Sequence, residues 1–383
     1  MQSSLVTSRA WIEINLAHLE DNVRAIQKRI SFPTQIMAVV KADAYGHGSI
    51  EIAKHLNKLG IQDFAVATLE EGMALRENHI KGNILILGYT NIQNLRLVVE
   101  NDLMQTVVDK EYASRLLHVP LKKKLKVHLK INTGMNRLGI SYQDMDFIKE
   151  MYKKKEIDVV GMYSHFCVAD SKKEEDIAFS NLQKERFDAL IKTLKESGYQ
   201  LGKIHIQSSY GILNYNENNE YNYVRPGIIL YGLHSGQDVY VKKQILLKPV
   251  LSLKARITSI KEIEEYEAVS YGRTYIASKK EKIATVSIGY ADGYPRSLSN
   301  KGVKVVVNNQ YAEVIGRICM DQLMINVTNI SEIKVGDIVT LIGSIPEITA
   351  EEVAEKIETN TNELLSRLGS RLHKVYVTIR EEL

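Results

Sequence analysis

Residues 36–48 read Ile-Met-Ala-Val-Val-Lys-Ala-Asp-Ala-Tyr-Gly-His-Gly, an apolar run that stops at Lys41 and is followed by small residues and glycines. A short apolar run bounded by turn residues is typical of a fully buried strand. A lysine at the end of such a strand must reach solvent, find a partner or be used chemically, because an unpaired buried ammonium is costly and its pKa tends to fall. A solvated rim lysine and a reactive amine both remain open on this run alone.

Similar β-rich runs recur as far as Arg225, with helical stretches between several of them. The eight strand candidates are 36–40, 64–68, 84–88, 105–108, 127–131, 159–165, 204–207 and 223–225, and the longest helix candidate is 177–196. Strand and helix alternating eight times predict a parallel (β/α)8 barrel of the TIM type, over residues 12–245.

Residues 246–383 lose the helical period, and strand candidates follow one another at 253–260, 283–288, 303–307 and 338–342. This pattern predicts a second, mainly-β domain. A closing helical segment is expected after Thr349, where Thr-Ala-Glu-Glu has the spacing of a capping box with Glu352.

The composition, with 44% hydrophobic and 25% charged residues in 383, is that of a globular protein with room for two domains. The lysine runs 122–124 and 153–155 lack interleaved aromatics, so we interpret them as solvated faces and expect no nucleic-acid partner. Cys167 and Cys319 have neither a metal-ligand nor a disulfide-framework spacing, so reduced thiols and no metal site are expected. No apolar run approaches the ~20 residues of a membrane span. The chain as given is therefore predicted to be cytoplasmic.

Catalytic groups of such barrels lie after the strands, and the motifs found there occur in a recognisable order. They are 40–48 (Val-Lys-Ala-Asp-Ala-Tyr-Gly-His-Gly), 130–139 (Lys-Ile-Asn-Thr-Gly-Met-Asn-Arg-Leu-Gly), 163–166 (Tyr-Ser-His-Phe), 225–232 (Arg-Pro-Gly-Ile-Ile-Leu-Tyr-Gly), 269–272 (Val-Ser-Tyr-Gly), 288–293 (Ile-Gly-Tyr-Ala-Asp-Gly) and 316–322 (Gly-Arg-Ile-Cys-Met-Asp-Gln). With these motifs the sequence resembles the alanine racemase family, which are fold-type III enzymes dependent on pyridoxal 5'-phosphate (PLP). The resemblance implies an amino-acid racemase in which Lys41 holds the cofactor.

The resemblance also implies a set of cofactor contacts. The phosphate would be held by Tyr45, Ser209 and the backbone N–H groups of Gly227 and Ile228, and a glycine there lets the backbone approach an anion closely. Arg225 would donate to the pyridine nitrogen, and His205 would orient Arg225. Because a guanidinium cannot accept a proton, that nitrogen should stay unprotonated and the cofactor should be a weaker electron sink. Without the family, Ser209 is an ordinary turn residue and His205 a satisfied interior histidine.

Racemisation needs one acid/base group on each face of the substrate Cα. By the resemblance, these are Lys41 and Tyr271, the tyrosine coming from the partner subunit of a head-to-tail homodimer. A tyrosine with a pKa near ~10 is a poor base at neutral pH, so it needs cationic help. In the family a histidine and an arginine give this help. His165 matches the histidine, and Arg296 or Arg273 match the arginine less clearly.

Lys130 lies within an apolar strand candidate, so its ammonium should need an anionic partner. In the resembling family the matching lysine is often carbamylated, and the resulting anion positions an arginine that corresponds to Arg137. This arginine would contact the phenolic oxygen of the cofactor and the substrate. A plain pair with a carboxylate would satisfy the same burial argument. Tyr290 and Met320 are expected to line the substrate entrance.

One position departs from the family pattern. Where alanine racemases usually have Thr-Ile-Asn-Tyr-Glu, residues 359–363 read Thr-Asn-Thr-Asn-Glu, so Asn362 replaces a pocket tyrosine. A smaller amide leaves room and hydrogen-bonding groups for a hydroxymethyl side chain. This resembles the racemase domain of the membrane-bound serine racemases of vancomycin resistance, and it predicts serine as well as alanine as substrate, in a cytoplasmic domain of a membrane-anchored protein. The alternative is a housekeeping alanine racemase with a drifted pocket residue.

Two other classes of PLP-binding barrel compete with a racemase. A noncatalytic PLP-homeostasis protein would share an anchor like Lys41, but such proteins lack a β domain. Decarboxylases of the same two-domain fold typically carry a glutamate at the pyridine nitrogen, and Arg225 argues against them.

Overall fold

The computed structural model describes residues 7–216 and 221–380. Its strands are β1 (Ala10–Asn15), β2 (Gln35–Val39), β3 (Asp63–Val66), β4 (Asn83–Ile86), β5 (Met104–Val107), β6 (Leu125–Asn132), β7 (Ile140–Ser141), β8 (Ile157–Tyr163), β9 (Lys203–His205), β10 (Tyr223–Val224), β11 (Leu251–Ile263), β12 (Ala268–Val269), β13 (Tyr275–Ile276), β14 (Glu281–Val286), β15 (Lys304–Val307), β16 (Gln310–Ile315), β17 (Leu323–Asn326), β18 (Ile338–Ile342) and β19 (His373–Val377).

The helices are α1 (Leu16–Arg29), α2 (Lys41–Tyr45), α3 (Ser49–Lys58), α4 (Leu69–Glu77), α5 (Leu95–Glu100), α6 (Lys110–Leu117), α7 (Met145–Met151), α8 (Glu174–Glu196), α9 (Ser209–Asn214), α10 (Ala350–Glu355) and α11 (Thr361–Ser366). Within the two described ranges, none of them combines the length and the apolar character that crossing a bilayer requires.

The chain divides into two compact units, each discontinuous in sequence. The barrel unit comprises the described residues of Asn22–Leu230 and Val239–Leu246, and the β unit those of Met1–Asp21, Tyr231–Asp238 and Leu247–Leu383. The domain bounds 12–245 and 246–383 stay a prediction. The structure adds that β1, near the N-terminus, belongs to the β unit, where it pairs with β11.

The barrel unit is built on eight parallel strands in the spatial order β10-β2-β3-β4-β5-β6-β8-β9. Between the two ends of this series, β9 and β10, the Arg225 N–H donates to the Gln207 carbonyl at 2.8 Å, so the ring is nearly closed. Strands β3 and β5 are buried at every position, as strands covered on both faces must be. The predicted (β/α)8 fold is confirmed, and each of the eight predicted strands lies within two residues of an observed one.

Local signals explain where the barrel helices begin. Thr68 and Glu71 form a complete capping box at α4, and the Asp109 carboxylate accepts the Tyr112 N–H at 2.7 Å at α6. Helix α8 begins three residues before its predicted start. The apolar pattern does not include Glu174, Glu175 and Asp176, but these acidic residues complement the helix dipole in the first turn.

The β unit is a second closed structure. Strands β11-β14-β17-β16-β15-β18 form an antiparallel ring that returns to β11, and β1 and β19 extend from β11 outside it. The 13-residue β11 has register shifts at 253/254 and 257/259, and such bulges bend a strand so that it can pair with several neighbours. The predicted capping box at α10 is half formed, since the Thr349 hydroxyl accepts the Glu352 N–H at 3.2 Å.

Candidate active site

The carboxyl ends of the barrel strands bring together most of the predicted polar side chains. Lys41 follows β2, His165 follows β8, His205 ends β9 and Arg225 follows β10, while Lys130 lies near the end of β6. Because parallel strands all end at the same rim of a barrel, residues far apart in sequence converge there.

The turn that carries Lys41 has an unusual backbone. Ala42, Asp43, Ala44 and Tyr45 all have φ between 52° and 54°, a left-handed helical turn that L-residues rarely adopt. Glu71 stabilises it from α4, because its carboxylate accepts the Ala42 N–H at 2.6 Å and the Ala67 N–H at 2.7 Å. Burial, and then the nearby Arg137, lower the pKa of Lys41, while Glu71 acts in the opposite direction. The amine is thereby shifted toward its nucleophilic form.

Arg225 is the central buried cation, with 3% of its surface exposed. Its Nη1 donates to Nδ1 of His205, and its Nη2 donates to the Ser164 carbonyl at 2.9 Å and lies 3.2 Å from Nδ1 of His165. The guanidinium carbon lies 4.9 Å from the centre of the Tyr163 ring. Burial lowers the pKa of Arg225 to about 10, so it stays a cation at neutral pH.

These contacts fix the proton positions on two histidines. A guanidinium offers no lone pair, so Nδ1 of both His205 and His165 must accept. Burial, and next the charge of Arg225, hold the pKa of both rings well below the usual value, so both are neutral and carry their proton on Nε2. His165 can therefore donate through Nε2.

Lys130 is buried, and no carboxylate lies opposite it among the ion pairs of the described residues. Its amine donates to the Ile131 carbonyl at 2.9 Å and lies 5.4 Å from the centre of the Tyr163 ring. Burial, and then Arg225 and Arg137, lower the pKa of Lys130 to about 7. Among the described residues, the structure therefore shows no carboxylate paired with Lys130, as the simple ion-pair alternative would require.

Three groups form a cradle beside β10. A Cβ atom added to Gly227 would lie 2.7 Å from the Tyr45 hydroxyl and 3.8 Å from the Ser209 hydroxyl, which accepts the Gly227 N–H at 3.1 Å. The neighbouring Ile228 begins a 3-10 turn. Two hydroxyls and a glycine backbone, on the same rim as a buried arginine and a lysine of lowered pKa, fit a phosphorylated aldehyde cofactor such as PLP.

Arg137, by contrast, is solvent-exposed, on the loop that follows β6. The Asn132 side chain organises this loop, because its oxygen accepts the N–H groups of Gly134 and Asn136, each at 3.1 Å.

The β unit holds the other predicted site residues. Tyr271 is 72% exposed and begins a short 3-10 turn. The preceding Ser270 has φ 68° and donates to the Arg317 carbonyl at 2.6 Å, while a Cβ on Gly272 would lie 3.0 Å from the Arg317 guanidinium. Of the two arginines proposed from the sequence, Arg273 ends this turn, and the structure adds Arg317, whose guanidinium lies beside it.

The segments around Tyr290 and Met320 interlock. The Tyr290 N–H donates to the Cys319 carbonyl at 3.0 Å, and a Cβ on Gly289 would lie 2.3 Å from that oxygen, so only glycine allows the approach. Tyr290 and Met320 are 39% and 53% exposed. Asn362 is half-buried in the first turn of α11, after Thr361, whose hydroxyl donates to the His234 carbonyl at 2.5 Å.

Sequence reasoning missed Glu71, Arg317 and His128. The Thr68-x-x-Glu71 spacing is typical of a helix start, but nothing in the local sequence shows that the same carboxylate also holds the turn after Lys41. Arg317 lies inside a quoted motif without a role, and His128 gave no signal beyond its place in an apolar strand.

Comparison with known proteins agrees with this architecture. Residues 14–235 match the profile of the alanine racemase N-terminal domain, and residues 250–376 that of the C-terminal domain. An alanine racemase of Carboxydothermus hydrogenoformans is 41% identical over 96% of this chain and 99% of its own length. The structure of an alanine racemase of Clostridium difficile 630 superposes with a TM-score of 0.91 at 37% identity and covers 97% of each chain.

A further relative is longer than this chain. An amino-acid racemase of Enterococcus faecalis is 41% identical over 96% of this chain, and the match covers 51% of that protein, so the chain spans about half its length.

Fold and site together define a two-domain protein with a (β/α)8 barrel whose rim fits PLP. The chain belongs to the alanine racemase family. Enzymes of this family are PLP-dependent, act on amino acids and are generally dimeric.

Proposed function

We propose that this protein is an alanine racemase that interconverts L- and D-alanine and thereby supplies D-alanine for peptidoglycan precursors. The observation that carries the proposal is the buried Arg225 held between the neutral rings of His205 and His165, on the same barrel rim as Lys41. The relatives named alanine racemase support the substrate.

Lys41 would hold the cofactor aldehyde, and Tyr45, Ser209, Gly227 and Ile228 would hold its phosphate. When bound, PLP withdraws electrons from the amino acid and makes its Cα–H acidic. Arg225 would donate to the ring nitrogen and, having no proton to lose at neutral pH, would keep that nitrogen unprotonated. Weaker electron withdrawal limits side reactions such as transamination, which suits a racemase.

Two bases would exchange the Cα proton. The Lys41 amine, with its lowered pKa, would serve one face of the substrate, and the Tyr271 hydroxyl of the partner subunit would serve the other. The Nε2–H of a neutral His165 and the Arg317 guanidinium beside the tyrosine turn are the proposed hydrogen-bond donors to the Tyr271 oxygen.

Lys130 is proposed to react with carbon dioxide. Its neutral amine attacks the carbon, a C–N bond forms and one proton is released, which leaves an anionic carbamate. The cations Arg225 and Arg137, which lower the pKa of the amine, would stabilise that anion. The carbamate would then position Arg137 toward the substrate and the cofactor's phenolic oxygen.

Replacement of either base tests the assignment. We expect Lys41→Ala to abolish racemisation and the borohydride-sensitive absorbance of bound PLP, and Tyr271→Phe to lower kcat by at least about a hundredfold, the usual contribution of a general acid or base. The matched control is Tyr266→Phe, because Tyr266 is 74% exposed and lies five residues before Tyr271. Normal racemisation of both enantiomers by Tyr271→Phe would refute the two-base proposal.

A second substrate, serine, is favoured by one residue. Asn362 offers a donor and an acceptor where the family has a tyrosine, and D-serine production would imply a role in glycopeptide resistance. The test measures L-Ser and L-Ala racemisation side by side in the protein and in Asn362→Tyr. Selective loss of serine turnover in the variant supports the serine proposal, and turnover of alanine alone by both proteins refutes it.

A further inference from the structure

His128 is a buried residue that the proposed function does not use. It lies on β6 two residues before Lys130, on the same face of the strand, and its side chain is fully buried. Its Nδ1 atom lies 3.0 Å from Nε2 of His205, whose Nδ1 accepts from Arg225. Arg225, His205 and His128 therefore form one hydrogen-bonded chain inside the barrel.

The direction of this chain follows from its first donor. Arg225 can only donate, so the His205 ring accepts at Nδ1 and carries its proton on Nε2. That proton can only be donated to Nδ1 of His128, which must therefore be unprotonated. If Nδ1 of His128 carried the proton instead, it would donate to Nε2 of His205. The proton of His205 would then lie on Nδ1, where it would face the N–H donor of Arg225.

The barrel backbone is shaped around the His128 ring. In the pairing of β6 with β8, Val127 is opposite Val159 and His128 is opposite Gly161, so β8 carries an extra residue that sets Gly161 against the ring. A Cβ on Gly161 would lie 2.5 Å from His128 Cε1 and 2.7 Å from Nδ1, closer than such atoms approach. Only glycine at this position leaves His128 where it meets His205.

We propose that His128 is a positioning residue for Arg225: it accepts the Nε2 proton of His205 and so holds the His205 lone pair toward the guanidinium. This contact fixes the orientation of the guanidinium, whose Nη2 group also donates to the Ser164 carbonyl at 2.9 Å. The inference rests on the proposed function, in which Arg225 contacts the pyridine nitrogen of PLP. Burial, followed by the charges of Lys203 and Arg225, lowers the pKa of His128 to about 3, so both histidines of the chain stay neutral across the working pH range.

The direct test is the histidine ¹⁵N NMR spectrum of the protein with and without PLP, assigned with His128→Asn and His205→Asn. We expect both rings to show an unprotonated Nδ1 and a protonated Nε2. A His205 ring protonated at Nδ1 in the wild-type protein would overturn the proposal.

Variants then test the positioning role. His128→Asn retains an acceptor near the Nδ1 position, whereas His128→Leu removes it, and Gly161→Ala displaces the ring. We expect His128→Leu and Gly161→Ala to give a mixed His205 tautomer, a changed pH titration of the bound-PLP absorption band and a kcat lowered about tenfold, the usual scale for a supporting hydrogen bond. His128→Asn should preserve all three properties. Gly236→Ala is the control, because a Cβ there meets nothing within 4 Å.

The outcomes separate the inference from the proposed function. An unchanged His205 tautomer and an unchanged absorption band in His128→Leu would overturn the role of His128 whatever the enzyme does with alanine. A wild-type protein that binds PLP and shows the expected tautomers and the expected variant effects on tautomer and absorption band, but does not racemise alanine, would refute the proposed function and leave the inference intact.

Discussion

Lys130 is a buried amine surrounded by cations. The guanidinium groups of Arg225 and Arg137 add to the effect of burial on its pKa, and its amine donates to the Ile131 backbone carbonyl. An ammonium in this place is destabilising, whereas the neutral amine and the carbamate are both better matched to the surroundings. This difference predicts a pH dependence of stability.

We expect Lys130→Met to be more stable than the wild-type protein below pH 7 in buffer free of carbon dioxide. The folded pKa is about 7 and the unfolded value about 10.4. Between those values the unfolded chain binds more protons, so wild-type stability rises with pH relative to the variant, by roughly a few kcal/mol at most. Urea unfolding of both proteins across this pH range measures the difference.

Lys126→Met provides the control for that measurement, because Lys126 lies on the same strand but is partly exposed and paired with Asp102. A gap between the wild-type protein and Lys130→Met that does not change with pH would contradict the lowered pKa. Labelled bicarbonate should then add a carbamate signal in the ¹³C NMR spectrum of the wild-type protein alone.

Among the individual site residues, the sequence predicted those that lie in local motifs and missed those whose role depends on tertiary contacts. Lys41 and Arg225 could be identified because each ends an apolar run within a recognisable motif. Glu71 could not, since its contact with Ala42 joins residues that are 29 positions apart. His128 needed both the bulge in β8 and the position of His205, and neither leaves a local pattern.

Among the elements, the turn after Lys41 is the most strained. Each L-residue in the left-handed region costs about 1 kcal/mol, so the run from Ala42 to Tyr45 must be held by its surroundings. Those include the Glu71 carboxylate and the Asp43 carboxylate, which accepts the Ser49 N–H at 2.7 Å. Apolar runs predicted the strands on either side of this turn, but alanines and an aspartate gave no sign of its handedness.

Ala42→Gly is expected to stabilise the protein by up to about 1 kcal/mol, because glycine adopts positive φ without steric cost. Ala42 is exposed, so no side-chain packing is lost. The matched control is Ala189→Gly, an exposed position within the right-handed helix α8, where glycine should destabilise by about 1 kcal/mol. Chemical denaturation measures both changes, and effects of the same sign would contradict the assigned backbone conformation.

For the whole molecule, the proposed catalytic groups lie in different compact units. Lys41 belongs to the barrel unit and Tyr271 to the β unit, so the proposed two-base mechanism would need a residue from each unit. The sequence predicted two domains from the change of period near residue 246. It could not show that β1, close to the N-terminus, pairs with β11 and β19, because such long-range pairing has no local signature.

The proposed head-to-tail dimer makes a quantitative prediction for mixed subunits. If each site takes Lys41 from one chain and Tyr271 from its partner, Lys41→Ala and Tyr271→Phe are each inactive alone, but a dimer of the two has one intact site and one with both defects. Random mixing makes about half of the dimers mixed, each with half of its sites intact, so the unfractionated mixture should regain about one quarter of wild-type alanine racemisation and the purified mixed dimer about one half. The experiment co-expresses the two variants with different tags, purifies the doubly tagged dimer and compares its rate with that of each parent.

The control is a doubly tagged dimer of Lys41→Ala with Tyr266→Phe. Because the Tyr266→Phe chain keeps both Lys41 and Tyr271, this dimer also has one intact site, and its rate is the reference for the mixed dimer. A doubly tagged dimer as inactive as its parents would place both bases in one chain and refute the shared site.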